Sequence, residues 1–387
     1  MTAPALPLVA ILDGSVAITG AVTAACRAAG FFADEARFLL ILPKGSSVPA
    51  ERLRANVQLV TIPLPRLRRS LGGIAAYPWA TWRAAVRLKR LLEEREVQTL
   101  QVNDFYLLPG PLVRPLGWRG RIVTVVRIDV RRFGAPGRFW LAAARRWSDR
   151  LLAVSSFIQR TAALAPDGLI YDPAMTVPSV TPGTRRPILL FVANYIEGKG
   201  QDTAIRAFHR IAADFPQAEL HFHGGDMGLA KNRAYRAELE EAAAAGPGAA
   251  RIRFFGFVDD PSPLLAEARA ALVLSHSESF SLTCQEASAH GVPVIATRCG
   301  GPEEIVEEGS TGYLVEVDDD AGVAERMARL LGDPALAEAL GRRGAALMAE
   351  RFGVDGWRVK MREALGLPQP ATDRNSSINR GASLASE

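Results

Sequence analysis

The chain has 387 residues, 48% of them hydrophobic and 22% charged, with a formal net charge of +5. This composition predicts a globular protein of two domains, and the lack of any run of about 20 apolar residues excludes a membrane-spanning helix. Three scattered cysteines, Cys26, Cys284 and Cys299, exclude a disulfide framework and a C-x-x-C metal site. With no basic segment followed by an apolar one at the N-terminus, the expectation is a cytoplasmic protein.

Charge is shared unevenly. Residues 1–186 hold 26 Lys and Arg against 12 Asp and Glu, a net of +14, whereas residues 187–387 hold 20 against 29, a net of −9. The basic half either meets something anionic, such as a membrane or a phosphorylated lipid acceptor, or is a solvated surface with no specific partner. Zinc-finger spacing, an aromatic–basic RNP motif and a heptad zipper are all absent, so nucleic acid is not an expected partner.

From the N-terminus, short apolar runs alternate with helical periodicity, the pattern of a parallel sheet covered by helices. Strands are predicted at 8–12, 37–42, 57–62, 97–102, 121–126 and 150–154, with helices at 20–29, 74–94 and 138–147. The Pro-rich stretch at 172–187 reads as a linker, because prolines cannot donate to a ladder. A second series follows, with strands at 188–192, 218–223, 252–255, 271–275, 293–297 and 312–317 and a last helix at 354–365. The expected class is α/β, with a Rossmann-like domain at 1–178, a second at 186–353, a terminal helix at 354–366 free to pack back on the first, and a disordered tail at 367–387. Ligands of such sheets sit beyond the carboxyl ends of the strands.

The segment SHSESFSLTCQEASAHGVPVIAT at 275–297 carries the densest pattern. A strand ends near Ser275, a polar turn holds Glu278, and a helix opening near Ser281 holds Glu286. The N–H groups of Phe280, Ser281 and Leu282 are then the unpaired donors of a helix N-terminus, an environment suited to an anion. A diphosphate there would leave one carboxylate facing sugar hydroxyls and the other ribose hydroxyls, since carboxylates accept from paired hydroxyls. Taken alone, the two acids could equally be solvent-facing.

This segment resembles the Glu-x7-Glu hallmark of the retaining glycosyltransferases of GT-B fold known as family 4, or glycosyl transferases group 1. Here it reads ESFSLTCQEASAHGVPVIA, with Ser281 where Gly is usual. The resemblance covers most of residues 188–320. FVANYIEGKGQD at 191–202 is similar to a segment in which Arg and Lys grip a diphosphate; Lys199 keeps the cation, but Asn194 stands where Arg is usual and cannot supply its bidentate fork. Gly224, in HFHGGDM, is similar to a glycine-rich turn beside the donor. Val258, in RFFGFVDDP, lies where the family reads the base through its backbone. GGPEEIVEEGSTGYLV at 300–315 implies Gly300 and Gly301 near the sugar and Glu304 as an ordering residue.

The first half matches less closely. Gly14 or Gly20 would supply the close backbone approach that the family makes after its first strand. Many members place a histidine after a middle strand, but no histidine precedes residue 209 here. Arg127 or Asp129 would fill that space, or the two form an ion pair at the strand end. Tyr77, Trp79 and Trp82, placed ahead of Arg83, Arg87, Lys89 and Arg90, and Arg66, Arg68 and Arg69 upstream, suit either an anionic membrane contact or a helix with its aromatics in the core.

The resemblance implies transfer of a hexose from a nucleoside-diphosphate sugar to a hydroxyl with retention, on a glycan or lipid-linked acceptor in envelope or polysaccharide synthesis. Glu278 and Lys199 are the catalytic candidates. The donor would meet Asn194, Lys199, Gly224, Val258, Glu278, Phe280, Ser281, Leu282 and Glu286. No cofactor and no metal are implied, since cations and helix dipoles take the metal's place. The expected location is cytoplasmic, peripheral on the inner face of the membrane. A nucleotide-sugar-binding protein without catalysis, and a related GT-B epimerase or phosphorylase, are the alternatives.

Overall fold

The computed structural model describes residues 6–65, 70–175 and 185–369. Arg66, Arg68, Arg69, most of the linker at 172–187 with the domain boundary at 178, and the tail from 370 onward lie outside the described residues.

Among the described residues twelve strands form two sheets of six, every pairing parallel. The first holds β1 (Leu8–Leu12), β2 (Arg37–Pro43), β3 (Val57–Ile62), β4 (Thr99–Val102), β5 (Arg121–Val126) and β6 (Arg150–Ala153), in the order β3-β2-β1-β4-β5-β6. The second holds β7 (Ile188–Val192), β8 (Glu219–His223), β9 (Ile252–Phe255), β10 (Ala270–Val273), β11 (Val294–Thr297) and β12 (Gly312–Val315), in the order β12-β11-β10-β7-β8-β9. Each half therefore has the doubly wound order, with its topological switch between β1 and β4 or between β7 and β10. Helices cover both faces, so central strands are apolar throughout: Leu39, Leu40, Ile41 and Leu42 are all buried.

The first half carries helices α1 (Gly20–Gly30), α2 (Leu71–Glu94), α3 (Pro109–Leu112), α4 (Gly134–Trp147) and α5 (Ser156–Thr161). The second carries α6 (Gln201–Ile211), α7 (Ala230–Ala244), α8 (Ser262–Glu267), α9 (Leu282–Ala289), α10 (Asp320–Gly332) and α11 (Pro334–Arg351), and α12 (Val354–Leu365) closes the series. Helix α2 starts earlier than its periodicity suggests because Ser70 caps it, its hydroxyl accepting from the Gly73 N–H at 3.1 Å. Tyr77, Trp79 and Trp82 lie inside this helix. Among the described residues no helix is long and apolar enough to cross a membrane.

Helix α12 leaves the second half and docks on the first. Trp357 packs its ring against Phe31 and Phe32, at centroid distances of 5.5 and 5.7 Å. Arg362 donates to both carboxylate oxygens of Glu35, at 2.9 and 2.8 Å, and Arg358 joins them. The helix's last carbonyls are met by side chains of the first sheet: Thr99 donates to the Leu365 carbonyl at 2.8 Å and Arg121 to that of Ala364 at 2.7 Å. Glu35→Ala would leave the buried Arg362 without its counter-charge and is expected to cost about 3 kcal/mol. Urea unfolding followed by tryptophan fluorescence measures that loss, and Glu35→Gln, which keeps an acceptor oxygen, is expected to lose less.

Candidate active site

The carboxyl ends of the two sheets enclose a cavity of about 510 Å³, walled by the turn into α1, the ends of β4 and β5, the β7–α6 and β8–α7 turns, and the segment entering α9. Both topological switch points thus open on one space.

The second half's wall is built around the N-terminus of α9. Ser281 is its N-cap, at φ +83° and ψ 88°, and its hydroxyl accepts from the Cys284 N–H. A positive φ disfavours any residue with a Cβ, which accounts for glycine being usual here; the serine offsets the strain through its cap. Phe280 turns its ring into the core against Tyr171 and Phe352, so only its backbone faces the cavity. Glu278 precedes this turn, and its Oε1 accepts from Lys199 Nζ at 2.6 Å and from the Ser275 hydroxyl at 2.8 Å. Glu286, in the second turn of α9, is paired with Arg27 from α1 of the opposite half. Leu282 faces Gly20 across the cleft. All five side chains Lys199, Glu278, Leu282, Glu286 and Arg27 line the cavity.

Asn194 lines it too, but in a supporting role: its side-chain oxygen accepts from the Gly225 N–H at 3.1 Å, holding the glycine turn. A Cβ on Gly224 would fall 1.9 Å from the Ala193 carbonyl oxygen, so glycine is obligatory where β8 ends against β7. Val258 lies on the same wall beside Phe257 and Met227. His223, stacked on Phe255 at 4.4 Å, has its pKa lowered to about 4 by burial and by the neighbouring His221. Gly300 and Gly301 are set back from the cavity and pack under the turn, where the Gly301 N–H donates to the Glu278 carbonyl at 2.8 Å. Glu304 accepts from the Ser156 and Phe157 N–H groups at the start of α5 and from the Tyr171 hydroxyl, tying the two halves together.

On the first half's wall, Gly20 lines the cavity at the start of α1, whereas Gly14 packs against Leu107 and Tyr106 and does not. The expectation of an Arg127–Asp129 ion pair is corrected. Arg127 binds Asp172 with two hydrogen bonds, at 2.7 and 3.1 Å, and donates to the Asn103 side chain at 2.7 Å. Asp129 instead caps the short turn Val130–Phe133, accepts from Arg131, and lies off the cavity. The local capping bond turns its carboxylate away from β5.

Sequence reading missed the acids behind Arg127. Asn103 and Asp104 follow β4, Asn103 donates to Asp13, and Asp104 Oδ1 accepts from the Phe105 and Arg127 N–H groups at 2.9 and 3.3 Å. Polar residues directly after a strand near a switch point were the available signal. Burial, partly offset by those N–H bonds, pushes the Asp104 carboxyl up to about 8. No group of three or more His, Cys, Asp or Glu is arranged to hold a metal ion among the described residues.

The raised Asp104 value sets a pH dependence. An unfolded aspartate loses its proton near the ordinary value of 3.8 while the folded one keeps it up to about 8, so the folded state binds the extra proton between these limits. This group's contribution to stability therefore falls as pH rises from 4 toward 8. Asp104→Asn, neutral throughout, is expected to flatten that decline in a thermal-unfolding series over the same range.

Residues 178–346 match the family described as glycosyl transferases group 1. The N-acetyl-alpha-D-glucosaminyl L-malate synthase of Bacillus anthracis is 34% identical over 170 residues, covering 43% of this chain and 41% of that protein. The D-inositol 3-phosphate glycosyltransferase of Acidothermus cellulolyticus is 38% identical over 175 residues, 43% of this chain and 38% of that protein. The chain thus spans about two fifths of the length of these relatives. A GDP-mannose-dependent alpha-(1-6)-phosphatidylinositol monomannoside mannosyltransferase of Mycolicibacterium smegmatis is 28% identical over 308 residues, 72% of this chain and 78% of that protein. Among solved structures, Anabaena HepE in complex with UDP and glucose superposes with a TM-score of 0.74 at 19% identity, covering 92% of this chain and 99% of that one. The match to glycosyl transferases group 1 thus falls on the second half of the chain, set in a GT-B fold of two Rossmann-like sheets.

Proposed function

We propose that the chain transfers a hexose from a nucleoside-diphosphate sugar to a hydroxyl, with retention at the anomeric carbon. The observation that carries this reading is the grouping of Lys199, Glu278, Glu286 and the α9 N-terminus on one wall of the cleft. Lys199 and the Phe280–Leu282 amides would hold the diphosphate and stabilise the charge that grows on it as the sugar departs. Glu278 would orient the sugar hydroxyls. Glu286 would accept from the ribose once Arg27 releases it, and the backbone at Gly224 and Val258 would border the sugar-phosphate and the base. Asn194 would contribute to the donor site through the turn it braces.

In this reading the bond from the anomeric carbon to the phosphate oxygen breaks, and the diphosphate takes its electron pair. The acceptor oxygen bonds to the same face, and its proton passes to a phosphate oxygen. No metal is required, because Lys199 and the helix terminus supply the positive charge. The acceptor would be a glycan or a lipid-linked hydroxyl entering past Gly20 and Arg127, in envelope or polysaccharide synthesis on the cytoplasmic side. The Mycolicibacterium smegmatis relative is a GDP-mannose-dependent phosphatidylinositol monomannoside mannosyltransferase, and HepE binds UDP and glucose, ligands of this chemistry.

A second reading, donor binding without turnover, is favoured by Asn194 and Arg127, each committed to a structural bond. Titration with UDP-, GDP- and ADP-sugars separates the readings. One nucleotide class is expected to raise the unfolding temperature by mass action, with or without chelator. Glu286→Ala is expected to weaken that binding by about tenfold to a hundredfold, the worth of hydrogen bonds to a charged acceptor. Lys199→Ala is expected to depress turnover more than affinity. A response to no nucleotide sugar contradicts the proposal, and binding with no transfer to any glycan or lipid hydroxyl favours the second reading.

A further inference from the structure

The first half of α2 stands clear of the sheet. Trp79 is 65% exposed, Ile74 56% and Trp82 46%, and Phe139 on the neighbouring α4 is 66% exposed. The two helices meet where Tyr77 packs on Trp140. The reading of α2 as a helix with its aromatics in the core is thereby corrected for Trp79 and Trp82, and only Tyr77 is half-buried. At the helical period, Ala75, Trp79, Trp82 and Val86 follow one another along a strip opposite Ala84, Leu88 and Leu92, which are buried.

Beside that strip lie Arg83, Arg87 and Arg90, all exposed. None of the three forms an ion pair among the described residues. No acid occurs between Leu71 and Leu92, nor anywhere in α4, which adds Arg138, Arg145 and Arg146. A protein surface that needs only water has no reason to expose two tryptophan rings along one strip of a helix. An unneutralised row of arginines alongside them fits a surface that is apolar a few ångströms down and anionic on top. Arg132, in the turn Val130–Phe133 that leads into α4, lines the cleft cavity.

We propose that the exposed faces of α2 and α4 form a docking platform for an anionic lipid surface, with Trp79, Trp82 and Phe139 entering the interface and Arg83, Arg87 and Arg90 meeting the headgroups. The platform holds the mouth of the cleft at the lipid surface. It is independent of the donor site, because vesicle binding needs no nucleotide and no turnover.

The test is co-sedimentation of the full chain with vesicles of phosphatidylcholine alone and of phosphatidylcholine with phosphatidylglycerol. Binding is expected only to the mixed vesicles and is expected to weaken steeply as salt rises. Arg83→Gln, Arg87→Gln and Arg90→Gln together are expected to reduce partitioning about a hundredfold. Trp79→Ser, Trp82→Ser and Phe139→Ser together are expected to reduce it roughly tenfold or more. These side chains are exposed, and unchanged nucleotide-sugar stabilisation or unfolding temperature shows that each variant folds. No binding to anionic vesicles, binding that both variants retain, or equal binding to neutral vesicles overturns the proposal. So does concentration-dependent self-association of the wild type that the tryptophan variant abolishes, since the face would then be an interface between copies of the chain.

Discussion

The turn that enters α9 is held in a conformation that the rest of the site depends on. A Cβ on Gly301 would lie 2.2 Å from the Phe280 Cα, so the two backbone segments are in direct contact and neither can shift without the other. Behind this contact the Phe280 ring is wedged between Tyr171 and Phe352, at 5.5 Å from each. The helix N-terminus is thus fixed from below, and its first-turn N–H groups are directed at the cavity with only that of Cys284 met by the Ser281 side chain. Water can satisfy the others, but an anion does so with the helix dipole in its favour.

Two ion pairs hold the charges flanking α9. Lys199 neutralises Glu278 within the second half, and Arg27 neutralises Glu286 from the first. Both carboxylates and both cations are partly buried, so each pair has given up hydration for its partner. A diphosphate sugar suits such a site because it brings the groups each pair needs in exchange: phosphate oxygens for the cations and hydroxyls for the carboxylates. The Arg27–Glu286 pair also spans the cleft, together with Gln285 donating to the Asp172 carbonyl at 2.7 Å and Glu304 capping α5. Exchange at Glu286 would therefore be felt by both halves, and α12, anchored on the first half by Glu35 and Trp357, limits how far they can separate.

Much of the architecture was legible because parallel strands covered on both faces are written as uninterrupted apolar runs. Leu8–Leu12 and Ile188–Val192, central in their sheets, begin and end where their apolar runs do. Boundaries moved where a local hydrogen bond or a turn overrode periodicity. Ser70 starts α2 early, and Glu96 at φ +53° delays β4 to Thr99. The first half's polar wall was less legible for a different reason. Arg127 has an acid two residues away in sequence, yet its partner Asp172 is distant along the chain, and Asp129 is taken by its own cap. Asp104 carries no motif; only the fold, by burying it at the end of β4, gives it an unusual protonation range.

The same contrast separates the two aromatic groups of the first half. Tyr77 and Trp140 join α2 to α4, whereas Trp79, Trp82 and Phe139 turn outward. A helix with a proline in its second turn and an apolar strip on its outer side is indistinguishable by composition from one buried on both faces. The packing beneath it decides.

The central claim, that the α9 N-terminus and its flanking charges form a nucleotide-sugar site, is tested most directly by the crystal structure of the chain with a bound nucleoside diphosphate. The account predicts phosphate oxygens within hydrogen-bond reach of the Ser281 and Leu282 N–H groups and of Lys199 Nζ, with Glu286 parted from Arg27 and turned to the ribose. A diphosphate seated instead on the first half, at Gly20 and the α1 N-terminus, with both ion pairs intact, would contradict it.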